Sequence, residues 1–147
     1  MTEVVESAKK VLGNVFVMYM KSHAYHWNYI GPEFPQYHSF FDSLYNELHD
    51  SIDAIAEHIR AMDGFAPGSL ARMVELSDIE EDTQIPNPKK MFQNLLDANE
   101  KVIAAMTESY NLANEAKELG YSNFLQDRID IHKKHGWMIK ATLGKKS

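Results

Sequence analysis

The sequence predicts an all-α fold: a four-helix bundle made of two helical hairpins, with a short extra helix in the long crossover between the second and third helices. Three observations predict it. Apolar residues recur at three- and four-residue spacing through four long segments. Glycine and proline fall between those segments rather than within them. No strand signal, internal repeat or low-complexity stretch competes. At 147 residues the chain makes one domain, long enough to bury a core.

The elements follow in order. Helix A is expected from Thr2 to about Ile30, with Val4, Ala8, Val11, Val15, Met18 and Tyr25 inward and Gly31-Pro32 as its stop. Helix B is expected from about Gln36 to Gly64. Its residues Phe41, Leu44, Leu48, Ile52, Ile55, Ile59 and Met62 mark the core side. The segment Phe65 to Asn87 carries Pro67, Gly68 and Pro86 and is too long for a tight turn, and Ser69 to Leu76 forms a short helix within it. Asn87 reads as an N-cap with Pro88 at the first helical position. Helix C keeps a heptad-like stripe through Met91, Leu95, Ala98, Val102, Ala105, Leu112, Ala116 and Leu119, closed by Gly120. Helix D runs from near Ser122 to Gly144.

Composition narrows the function classes. There is no cysteine, so no disulfide, thiolate metal site or cysteine nucleophile. The N-terminus lacks a basic region followed by an apolar run, and no apolar stretch approaches the about 18 residues that span a bilayer. These features lead to the expectation of a cytoplasmic protein without a membrane partner. A net charge of −6 argues against a surface that binds nucleic acid throughout.

The chemistry concentrates between His26 and Glu57. His26, His38, Asp42, Asp53 and Glu57 combine imidazole nitrogen with carboxylate oxygen, a set that suits a borderline divalent metal such as iron, manganese or zinc. On one helix, His38, Asp42, Asp53 and Glu57 fall on a stripe roughly 100° wide, roughly 120° around from the core side. Asp42 and Asp53 lie about 16 Å apart along the axis, so no single ion reaches both. Two arrangements remain. The stripe is a solvated helix side, the ordinary reading of acids four apart. Alternatively, an antiparallel second copy brings its Asp53 and Glu57 to His38 and Asp42, as an isologous dimer does twice over. His26 alone reads as a histidine near a helix end, Trp27 as core, and His49 as a residue beside the stripe. No Glu-x-x-His occurs anywhere, which argues against a di-iron site built within one bundle.

The spacing resembles the ferroxidase pattern of the Dps proteins, ferritin-like miniferritins named for DNA binding in starved cells. That pattern is a histidine followed by tryptophan, a histidine twelve on, an aspartate four further, an aspartate eleven later and a glutamate four after that. Here these are His26 with Trp27, His38, Asp42, Asp53 and Glu57, with no departure. Ala66-Pro67-Gly68-Ser69 and the segment from His132 to Leu143 resemble the family as well. An arginine commonly follows the glutamate, and His58 stands there instead.

The resemblance implies a ferritin-like four-helix bundle. It implies Fe(II) oxidation by hydrogen peroxide or dioxygen at a mono- or dinuclear iron site shared between subunits. Ferric mineral would be stored in a hollow homododecamer of twofold dimers, protecting against oxidative damage. Trp27 would lie near the metal and intercept oxidising equivalents. Glu115, Glu118 and Asp127 would line an iron-entry pore, although Asn123 stands where the family often has aspartate. The alternative function is DNA binding and protection, with ferroxidase activity secondary. The locally basic end, with Arg128, Lys133, Lys134, Lys140, Lys145 and Lys146, is its carrier, and a metal-free structural bundle is a third reading.

Overall fold

Val4, Ala8, Val11, Val15, Met18 and Tyr25 are all buried, and together they define the inward face of the first helix. A computed structural model describes residues 1–145. It contains α1 (Thr2–Asn28), α2 (Phe34–Ala61), α3 (Leu70–Leu76), α4 (Pro88–Glu115) and α5 (Leu119–Thr142), with no strand among the described residues. α1 pairs with α2 and α4 with α5, α1 also packs on α4, and the short α3 lies on α1. Leu12, Met18, Phe41, Leu48, Ile55, Leu95, Met106 and Leu125 form the dry centre. Truncating one such side chain to alanine costs about 2–5 kcal/mol. Among the described residues no helix is long and apolar enough to cross a membrane.

The crossover is pinned at both ends of its path. Ser69 caps α3 by accepting from the Arg72 amide at 3.1 Å. Gly13 lets α3 lie close to α1: a Cβ there would stand 2.9 Å from the Met73 carbonyl oxygen. Buried Asn14 accepts from the Ser77 hydroxyl and the Asp78 amide at 2.8 and 2.9 Å. Further on, Asp82 pairs with buried Lys21 at 3.2 Å and accepts the Tyr25 hydroxyl. Asn87 caps α4 through the Lys90 amide, 2.9 Å away, as its position before Pro88 predicts.

Two helix ends differ from expectation. α4 stops at Glu115, and Gly120 lies inside α5 rather than closing α4. The stop is made by Lys117, at φ 61°, with the Glu118 amide donating to the Ala113 carbonyl at 2.8 Å. α2 ends in the same way at Asp63, φ 68°, with the Gly64 amide donating to Ile59 at 3.0 Å. Gly64 answers to space instead of backbone angle, because a Cβ there would stand 2.6 Å from Val5 Cγ1. The inner stripe of α4 also drifts. Beyond Ala105 the buried residues are Met106, Ser109 and Ala113 and Leu112 is only half-buried, while Ala116 and Leu119 lie past the end of α4 and are exposed. A straight helix at 3.6 residues per turn rotates away from a heptad register, and the drift follows from that.

Candidate metal centre

The turn between α1 and α2 spans Tyr29 to Glu33, and it sets the last turn of one helix beside the first turns of the other. His26 and His38 meet there with ring centroids 3.7 Å apart and planes 19° from parallel. Each ring is fixed by the other's backbone. His26 Nδ1–H donates to the His38 carbonyl at 2.9 Å, and His38 Nδ1–H donates to the His26 carbonyl at 2.8 Å. With both protons on Nδ1, each neutral ring keeps its Nε2 lone pair for a metal. Phe34 stacks on His38 at 4.7 Å and limits its rotation further.

Asp42 lies one turn after His38 and is half-buried. Tyr45 follows on the same helix, and its phenol is pushed up by desolvation first and then by Asp42. Tyr45 in turn lies flat on His23, 3.8 Å away and 8° from parallel. Burial, then the charges of His26 and His49, hold the His23 imidazole below its usual value. Trp27 is 57% exposed and lies 4.2 Å from the same imidazole, so it is not a core residue. His49 is exposed, against the ring of Tyr19 at 5.2 Å. Sequence reading missed this ring cluster, although Tyr19, His23 and Trp27 stand four apart on one helix face.

Asp53 and Glu57 form the other part of the set. Both are exposed, one helical turn apart, and the neighbouring Asp53 carboxylate raises the Glu57 carboxyl. Two like charges this close repel each other, and a divalent cation between them would relieve that repulsion. Among the described residues, no three histidine, aspartate or glutamate side chains of one chain converge tightly enough to hold a metal ion. The five residues thus fall into a histidine pair with Asp42 at one end of α2 and a carboxylate pair towards the other.

Beside Glu57, His58 makes no ion pair among the described residues. Its ring packs on Phe124 at 4.5 Å, and burial holds it below the usual imidazole value. A second polar cluster, also unseen in the sequence, joins α2 to α5. Arg128 makes a two-pronged pair with Glu47 and contacts His132 Nε2 at 3.1 Å. His135 reaches Glu47 at 2.7 Å, and His132 Nδ1 meets Asn99 Oδ1 at 2.8 Å. Glu47 is held down to about 2: burial opposes its charge, but its bonds to His135 and Arg128 prevail. His132 is fully buried and held well below its usual value by that burial. Arg128, counted among the basic residues of the C-terminal segment, is therefore an internal ion-pair partner, 5% exposed. Lys145 donates to Gln93 at 3.0 Å, and Lys146 lies outside the described residues. Glu115, Asn123 and Asp127 are exposed around the α4–α5 corner, with Glu118 half-buried.

Comparisons with known proteins agree on the frame. The ferritin-like domain model matches residues 6–147. General stress protein 20U of Bacillus subtilis is 30% identical over 145 residues, covering 97% of this chain and 98% of its own. The DNA protection during starvation protein of Brevibacillus brevis is 30% identical over 133 residues, covering 90% and 89%. The crystal structure of Dps from Vibrio cholerae O1, a member of a broad superfamily of ferritin-like diiron-carboxylate proteins, superposes with a TM-score of 0.93. It shows 28% identity, with 97% of this chain and 89% of that chain covered.

Proposed function

The chain belongs to the ferritin-like domain family and, within it, to the Dps family, and from that premise we propose that it oxidises Fe(II) at a site shared between two copies. The ferric product is stored inside a hollow homododecamer, which protects against oxidative damage. His26, His38 and Asp42 of one copy and Asp53 and Glu57 of its twofold mate hold the iron, which is substrate and cargo. The observation that carries this reading is the division of the set. One chain offers two imidazoles locked with Nε2 free, and a separate, outward carboxylate pair in which Asp53 raises the Glu57 carboxyl. Each is half a coordination sphere, and an isologous contact completes both halves at once.

The donor types fit the reaction. Three carboxylates favour Fe(III) over Fe(II), because hard oxygen ligands with negative charge stabilise the higher charge. Two neutral imidazoles moderate the total charge and leave room for the reduced state to bind. Hydrogen peroxide or dioxygen accepts the electrons, and no side chain acts as a nucleophile. Pairing Fe(II) with peroxide removes both reactants of hydroxyl-radical chemistry, which is the protective part of the function.

DNA protection ranks second. The chain's charge of −6 repels a polyanion, and the burial of Arg128 removes one cation from the segment that would offset it. The experiment is size and iron content measured together. After anaerobic Fe(II) loading and peroxide addition, iron should elute with protein at the size of a twelve-chain shell. Protein that elutes as a monomer without ferric iron would overturn the proposal.

A further inference from the structure

Tyr19 has no place in the five-residue pattern, yet it ends a continuous run of rings that begins on one of those residues. The Tyr45 ring stands 5.2 Å from that of His26 and lies on His23 at 3.8 Å, and His23 Nδ1 stands 2.9 Å from the Tyr19 hydroxyl. Tyr19 itself is half-buried, edge-on to Phe16 at 6.0 Å and packed against the core. A phenol beside an imidazole nitrogen can lose an electron while its proton moves within an existing hydrogen bond, so no charge has to cross an apolar wall.

We propose that Tyr19 is a one-electron donor to the peroxide reduced at the iron site, with His23 Nδ1 receiving the phenolic proton and Tyr45 carrying the electron. The inference rests on the ferroxidase reading above. Reducing hydrogen peroxide to two waters takes two electrons, and one Fe(II) supplies only one. With a single iron present, Tyr19 supplies the other: Fe(II) + H2O2 + Tyr19–OH + His23 + 2 H+ gives Fe(III) + Tyr19–O• + His23–H+ + 2 H2O. The peroxide O–O bond and the Tyr19 O–H bond break, and two water molecules form. His23 holds the Tyr19 proton and returns it when the radical is reduced again by a later Fe(II). Trp27 also touches His23, but it is 57% exposed and would deliver the radical to the surface. Tyr19 keeps the odd electron inside the bundle wall, where it can wait for the next iron.

The test uses the intact assembly with less than one Fe(II) per site, mixed anaerobically with excess peroxide and frozen for electron paramagnetic resonance. Ferric iron is followed on the same samples. The expected result is a tyrosyl signal that narrows with ring-deuterated tyrosine, is lost in Tyr19→Phe and persists in Trp27→Phe. Ferric iron formed with no such signal, or a signal that survives Tyr19→Phe or belongs to Trp27, would overturn the proposal. Absence of ferric iron would overturn the ferroxidase reading instead, and a metal-free arm then judges Tyr19 alone. Flash photo-oxidation with a ruthenium tris-bipyridine complex should give the Tyr19 radical in wild type, with a solvent deuterium effect, and lose that effect in His23→Phe. No Tyr19 radical, or an identical isotope effect in both proteins, sinks the Tyr19–His23 pair.

Discussion

His26 and His38 hold each other: each ring donates from Nδ1 to the other residue's backbone carbonyl, at 2.9 and 2.8 Å, with the two rings stacked 3.7 Å apart. Neither imidazole is therefore oriented alone. Replacing His38 with alanine removes one ligand and also releases the ring of His26 from its stacking partner. The losses in metal affinity should not add. His26→Ala and His38→Ala are each expected to weaken Zn(II) binding about 10–100-fold or more, with the double variant weaker by less than the product of the two. Calorimetric titration of the metal-free assembly checks this, and strict additivity would mean the rings act independently.

Acid should destabilise the chain in two overlapping steps. His132 is neutral inside the fold and held below its usual value, so the unfolded chain binds its proton first as pH falls below 6.5. Glu47 has the opposite charge type and the same consequence. Its folded carboxyl is held to about 2 against 4.5, so its contribution is present above 4.5 and is lost as pH falls towards 2. Urea midpoints at fixed protein concentration should fall from pH 6.5 downward. Glu47→Gln should lower the midpoint at neutral pH and flatten the dependence below 4.5.

Space and backbone angle make separate demands at two helix ends. Gly64→Ala should destabilise by about 1–3 kcal/mol, because the new methyl meets Val5 Cγ1 at 2.6 Å, and Val5→Ala should restore part of the loss. Lys117→Gly should stabilise by about 1 kcal/mol, since φ 61° is costly for a side-chain-bearing residue. Urea denaturation of Gly64→Ala, of Gly64→Ala/Val5→Ala and of Lys117→Gly measures both effects.

DNA binding, if present, should be weak and sensitive to salt. With Arg128 internal and the chain at −6, few phosphate contacts are on offer, and affinity follows the number of counterions released. No stable gel shift of linear DNA is expected at about 0.15 M salt. Binding that survives this salt but disappears on truncation after Gly144 would place a real contact in the tail and move DNA ahead of iron among the partners.

Much of the architecture was legible because burial leaves a period in the sequence. The inward faces of α1 and α2, the Asn87 cap and the short helix in the crossover all followed from spacing and capping residues. Only Ile52 among the expected inward residues of α2 is not fully buried. The end of α4 was not legible, since Lys117 takes a backbone angle usually given to glycine and Gly120, two residues before Ser122, was the louder signal. Five candidate site residues could be proposed from type and spacing. Their mutual orientation could not, because the reciprocal carbonyl bonds of His26 and His38 depend on how two helices meet across a turn. Arg128 shows the same limit. Its charge is visible in the sequence, but its partner Glu47 is 81 positions away.

The central claim is that each site takes His38 and Asp42 from one chain and Asp53 and Glu57 from its mate. Complementation tests it most directly. A His38→Ala/Asp42→Ala chain and an Asp53→Ala/Glu57→Ala chain, each inactive alone, are co-expressed and co-assembled, and the initial rate of peroxide-dependent Fe(II) oxidation is measured. A mixed dimer carries one site with both halves intact and one with neither. The account predicts that activity returns only on co-assembly. Co-assembled shells as inactive as either parent would contradict it.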